Sequence, residues 1–107
     1  MGRVSTKEAI KELERIKTKL SKKYNFNKVL LFGSRARGDE LQTSDLDLIV
    51  VSKDFAKIPF KKRPDDFLDE WTLPIDFEVI CYTPKEFNNK KKEYGIVMQA
   101  VKEGKLI

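Results

Sequence analysis

The heptapeptide Asp45-Leu46-Asp47-Leu48-Ile49-Val50-Val51 constrains this chain more tightly than any other stretch. Its aliphatic content predicts a β-strand, in which successive side chains alternate between faces. Leu46, Leu48 and Val50 then share one wholly apolar face, which must be buried. Asp45 and Asp47 lead the other face, ahead of Ile49 and Val51. Such a strand needs partners on either side and something to cover its apolar face. Aspartate is depleted in strands, so two of them two residues apart ask for a chemical reason.

The rest of the chain supplies the partners. Lys28 to Phe32 is a short apolar run ended by Gly33 and reads as a buried strand. Ile75 to Tyr82 reads as a third strand, with Ile75, Phe77, Val79 and Cys81 on one face and Asp76, Glu78 and Ile80 on the other. Ser5-Thr6-Lys7-Glu8 has capping-box spacing, and Ile10, Leu13, Ile16 and Leu20 follow at helical intervals, predicting an amphipathic helix over about residues 6–23. Gly33 to Thr43, with Gly38 inside it, predicts a turn or short helical loop. Ser52 to Arg63, with Pro59 and four lysines, predicts a loop. Pro64 to Thr72 predicts a helix with a Phe67, Leu68, Trp71 stripe, stopped by Pro74. Thr83-Pro84-Lys85-Glu86 is a second capping box with proline at the first helical position, and a final helix carries Ile96, Val97, Ala100 and Val101 to Gly104. With 107 residues and no repeat or linker, residues 1–107 read as a single domain. The expected class is α+β, a two-layer arrangement of a small mixed β-sheet with helices packed on one face.

Two carboxylates on one strand face stand about 6–7 Å apart at the backbone and resist ionising together unless a positive charge joins them. They can lean onto hard cations, and Mg²⁺ takes oxygen ligands while keeping positions open for water and phosphates. A third carboxylate on a neighbouring strand would complete a two-metal clamp. The chain contains no histidine, which removes the usual zinc and non-haem iron sites and leaves an oxygen-only site for Mg²⁺ or Mn²⁺. Taken alone, the Asp-x-Asp pair could equally cap loops on a solvated strand. Gly33-Ser34, directly after the first strand, adds a glycine that lets backbone approach a phosphate and a hydroxyl that can donate to it. Arg35 and Arg37 beside it suit anionic oxygens, although Arg37 has Asp39 and Glu40 as alternative partners.

Gly33-Ser34, ten intervening residues, then Asp45-Leu46-Asp47 reads G-S-x10-D-x-D. This resembles the minimal nucleotidyltransferases of the DNA polymerase β superfamily, the antitoxin type among them. The stretch GSRARGDELQTSDLDLIV carries the likeness, which continues through the third strand and the TPKEF segment. The resemblance implies the polymerase β-like nucleotidyltransferase fold. It implies that Gly33, Ser34 and Arg35 hold the triphosphate of ATP, and that Asp45 and Asp47 bind two Mg²⁺ ions, with Mn²⁺ as a substitute. A third acid completes the site. In the family it opens a strand after a hydrophobic residue, as Ile75-Asp76 does, so Asp76 is assigned before Glu78, one rung deeper on the same face. The implied reaction is in-line attack of an acceptor hydroxyl on the α-phosphorus, releasing pyrophosphate, with AMP the group transferred.

Family members of this size stand beside HEPN-domain ribonuclease toxins and silence them by adding adenylate to a tyrosine. That makes a HEPN toxin the expected protein partner. This chain is not itself such a ribonuclease, whose R-x4-6-H motif needs a histidine. Two alternatives stand beside this reading: a small-molecule acceptor of the aminoglycoside kind, for which 107 residues leave no added acceptor domain, and a non-catalytic partner covering a toxin or RNA surface. Intact Gly33, Ser34, Asp45, Asp47 and Asp76 weigh against the last. The net charge of +5 suits an anionic partner, with Lys57 to Arg63 and Lys90 to Lys92 as candidate docking stretches, but solvated lysines explain it as well; nucleic acid is not the expected partner. One cysteine, no membrane-length apolar run and a charged N-terminus without a signal-peptide core fit a cytoplasmic, membrane-free protein.

Overall fold

Local sequence signals open both of the capped helices. In the computed structural model, which describes residues 4–37 and 45–107, helix α1 spans Thr6–Leu20. The Ser5 hydroxyl accepts from the Glu8 amide at 3.1 Å, while the Glu8 carboxylate accepts from the Ser5 amide at 3.4 Å. The helix buries Ala9, Leu13, Ile16 and Leu20 on one stripe. Thr83 and Glu86 repeat the device at α4 (Pro84–Lys90), with proline in the first turn. Gly38, the rest of the Gly-Ser to Asp-x-Asp spacer through residue 44, and the acids proposed to pair with Arg37 lie outside the described residues.

The strands are β1 (Lys28–Phe32), β2 (Leu46–Val51), β3 (Phe77–Tyr82) and the two-residue β4 (Lys105–Leu106). They form one mixed sheet in the order β3-β2-β1-β4. β2 runs antiparallel to β1, pairing Val29 with Val50 and Phe32 with Asp47. β3 runs parallel to β2, pairing Leu46 with Phe77 and Asp47 with Glu78. A parallel pair needs a long crossover. Here it passes through two 3-10 turns, Lys53–Lys57 and Phe60–Lys62, and helix α3 (Asp65–Glu70). Ser52 starts the first turn by accepting from the Asp54 amide at 3.2 Å, so part of the expected loop is ordered by a cap. The expected α3 stripe is shorter than predicted: Phe67 is buried, Leu68 is exposed, and Trp71 leaves the helix to stack on Phe77 at 4.2 Å.

Small mixed sheet and α+β class agree with the sequence reading, but the helices cover both faces of the sheet. Leu46, Leu48 and Val50 meet α1, Phe55 and Phe67 in the larger core. Ile49 and Val51 meet Phe87 of α4 and Val97 and Ala100 of α5 (Ile96–Glu103) in a second one. The physical reason lies in β2 itself. Behind its aspartates the second face is as apolar as the first, with Ile49 at 0% and Val51 at 3% exposure, and apolar area of that size is not left in water.

Two buried polar groups brace this frame. Glu12 is 8% exposed on α1 and accepts from the Thr72 amide at 2.9 Å and the Thr72 hydroxyl at 2.6 Å. Arg15 grips the same carboxylate at 2.8 and 3.1 Å, so one side chain ties the first helix to the turn that leads into β3. Arg63, from a basic stretch weighed as a docking candidate and more simply as solvated charge, is buried instead. Its guanidinium donates to Ile58 O, Cys81 O and the Glu86 carboxylate, the last at 2.7 Å, and so ties the crossover to β3 and the start of α4. No helix among the described residues is long and apolar enough to cross a membrane.

Candidate active site

The acidic residues collect at one end of the sheet because of strand register. Asp47 sits on β2 between Phe32 of β1 and Glu78 of β3. Paired strands lie about 4.8 Å apart, which brings the Asp47 and Glu78 carboxyls within reach of each other. Asp45 precedes β2 and Asp76 precedes β3, both exposed. The Leu46 amide donates to Asp76 O at 2.9 Å, so the two strand starts are tied together just where these acids stand.

These carboxylates crowd one another. Burial and the Glu78 carboxyl, with Asp45 adding its repulsion, push the Asp47 carboxyl up to about 6. With no cation between them the neighbouring carboxylates repel, and the charged form of Asp47 is disfavoured. As the side chains stand, no group of three His, Cys, Asp or Glu among the described residues forms a ready metal-holding cluster. The donor set nonetheless suits a hard divalent cation: oxygen ligands only, crowded, and including one acid whose charge is disfavoured until a cation joins it.

Gly33 closes the other side of this site. It ends β1 with φ of +84°, and a β-carbon there would stand 2.7 Å from Asp47 Oδ2. Only glycine combines that backbone conformation with that approach. The turn leads at once into the short helix α2 (Ser34–Arg37), with the Ala36 amide donating to Gly33 O at 3.1 Å. The expected polar loop therefore begins as a helical turn. Arg35 is 3% exposed, and its guanidinium donates to Val4 O at 2.8 Å and the Thr6 hydroxyl at 3.4 Å. This arginine thus braces α2 against the start of α1.

A cleft of about 450 Å³ adjoins Gly33. Its walls are Phe32, Ile96 and Ala100, with Gln99 and Glu103 supplying polar groups. Phe32 belongs to the same register pair as Asp47, and Gly33 lies against that carboxylate, so the cleft stands beside the acids. Sequence reasoning missed the cleft, since α5 carries no local mark of it. Glu78 it ranked behind Asp76, although alternation along β3 already placed the two on one face. Cys81 plays no part as a nucleophile: burial pushes its thiol up to about 12.

The profile of the nucleotidyltransferase domain family matches residues 13–107. This chain belongs to that family. Among curated proteins, this nucleotidyltransferase is similar to one from Methanocaldococcus jannaschii named "Putative protein adenylyltransferase", with 42% identity over 50 residues. That match covers 46% of this chain and spans only 58% of the relative's length. Among solved structures it is similar to one described as a "putative nucleotidyltransferase" from Sulfolobus solfataricus, with a TM-score of 0.68 and 23% identity. The likeness covers 95% of this chain and 81% of the other, and it shows a shared fold. The nucleotidyltransferase fold expected from the motif is thereby established for this chain.

Proposed function

We propose that this nucleotidyltransferase moves AMP from ATP onto a protein hydroxyl, a tyrosine of a HEPN-type toxin, and so acts as an antitoxin. The observation that carries the catalytic part is the register of Asp47, with Glu78 across one strand gap and Gly33 against its carboxylate. An acidic pocket floored by glycine favours a triphosphate carried on a divalent cation. The name of the M. jannaschii relative supports a protein acceptor.

In this reading Asp45 and Asp47 hold Mg²⁺ or Mn²⁺, and Gly33 and Ser34 hold the triphosphate. A cation there supplies Lewis acidity and neutralises charge on the phosphates. Asp76 orients the acceptor hydroxyl and takes its proton. The acceptor oxygen forms a bond to the α-phosphorus as the bond to the bridging oxygen breaks, and pyrophosphate leaves. No side chain is acylated or phosphorylated on the way, so positioning and electrostatics carry the rate. Arg35 serves by holding α2, and hence Ser34, in place.

The test is incubation of the purified chain with α-labelled ATP, Mg²⁺ and cell lysate, then identification of the labelled product by mass. A protein that gains one AMP, and does so only with intact Asp47, supports the reading. Efficient labelling of an aminoglycoside or another small alcohol, with no labelled protein, replaces it with the small-molecule reading.

A further inference from the structure

The cleft beside Gly33 contains one polar pair that the chemistry of transfer does not use. Gln99 projects from α5, and its Nε2 donates to Glu103 Oε1 at 3.2 Å, one helical turn on. A carboxylate only accepts hydrogen bonds, so the amide nitrogen is the end that must face it. Turning the amide over would set oxygen against oxygen. Glu103 therefore fixes which way round Gln99 stands, leaving Oε1 and the second N–H as a fixed acceptor–donor edge. The other walls of the cleft, Phe32, Ile96 and Ala100, are apolar and suit the faces of a planar ring.

We propose that Gln99, held by Glu103, reads the base of the bound nucleotide and selects one that presents an exocyclic amino group beside a ring-nitrogen acceptor. The inference rests on the nucleotide lying at Gly33 and Ser34, from which the cleft opens. An amide bonds such an edge at two points, as glutamine does with adenine. Adenine and cytosine both carry it. Guanine at O6 and N1, and uracil at O4 and N3, present a carbonyl beside a ring N–H and would need the inverted amide that Glu103 disfavours; guanine's own amino group, beside N3, lies on the sugar side of the base. Adenine is favoured over cytosine, because its larger ring system covers more of Phe32 and Ile96.

The experiment is calorimetric titration of the intact chain with non-hydrolysable analogues of ATP, CTP, GTP and UTP in Mg²⁺. The expected result is ATP bound on the order of tenfold more tightly than GTP and UTP, with CTP between. Gln99→Ala should abolish that preference by weakening ATP alone. Glu103→Gln should shrink the ratio of ATP to GTP while barely changing ATP affinity, because an amide partner lets Gln99 turn over. Both residues are exposed on α5, and melting curves check that the variants fold. Equal affinity for ATP and GTP in the wild type, or an unchanged ratio in Gln99→Ala, overturns the proposal. An unchanged ratio in Glu103→Gln overturns the role of Glu103. Asp47→Asn separates the two readings. It should weaken all four nucleotides together, and if it weakens none while Gln99→Ala still shifts the ratio, the metal-held triphosphate fails and the base subsite stands.

Discussion

The Asp47 carboxylate fills the space that a side chain on Gly33 would need: a β-carbon on the glycine would lie 2.7 Å from the aspartate's Oδ2. The glycine at the end of one strand and the acid on its neighbour are thus a single fitted unit. Gly33→Ala would combine a positive φ with that collision, at a cost of about 1–2 kcal/mol from the backbone alone. Its melting temperature should fall by several degrees, and transfer should fall further still as Asp47 is displaced. An alanine variant with wild-type melting and wild-type activity would show that the close approach has no consequence.

Asp47→Asn removes the central carboxylate while keeping its size. AMP transfer should fall by orders of magnitude, because the cation loses a charged ligand. The fold should survive, and in chelator its melting temperature should match or exceed wild type, since a repelling neighbour of Glu78 and Asp45 has gone. Scanning calorimetry beside a labelled-ATP assay measures both. Near-normal transfer in this variant would refute the metal reading.

Asp76 and Glu78 share a strand face, and the proposed function gives them different roles. Asp76→Ala should reduce transfer by at least an order of magnitude more than Glu78→Ala, because the proposed function gives the exposed Asp76 the acceptor's proton. Glu78 is the in-register neighbour of Asp47, and its replacement should mainly lower the metal concentration needed, as Asp47 loses a neighbour that disfavours its charged form. The two variants are compared in one assay across a Mg²⁺ series. A dead Glu78→Ala beside an active Asp76→Ala reverses the assignment.

Glu12 gives the fold a pH dependence away from the site. The Arg15 guanidinium and the Thr72 donors hold its carboxyl down at about 2, against an ordinary value of 4.5. A lowered acid contributes stability above its unfolded value and loses it as pH falls from about 4.5 toward 2. Glu12→Gln should therefore cost about 2 kcal/mol at pH 7, the scale for a buried charge-assisted hydrogen-bond set, and progressively less in that acid window. Urea midpoints at several pH values decide it. A constant difference down to the acid limit would mean that packing, not charge, sets the cost.

Features that depend on neighbours in sequence were legible from the residues. Ser5 with Glu8 and Thr83 with Glu86 begin helices because a hydroxyl three residues before an acid satisfies free amides locally. The alternation in β2 placed Asp45 and Asp47 on one face, and Gly33 marked the end of β1, because both are consequences of backbone geometry. Other features belong to partners that the chain order does not reveal. Only the parallel register of β2 and β3 set Glu78, rather than Asp76, directly beside Asp47. Arg35 and Arg63 read as cations available to an anion or a partner, yet the fold buries both and occupies them with backbone carbonyls and, for Arg63, Glu86. The two residues of β4 pair with β1 and carry no periodicity of their own. The covering of Ile49 and Val51 by α4 and α5, which creates the cleft beside Gly33, arises because an apolar surface has no directional preference. It selects no particular helix until the whole chain has packed.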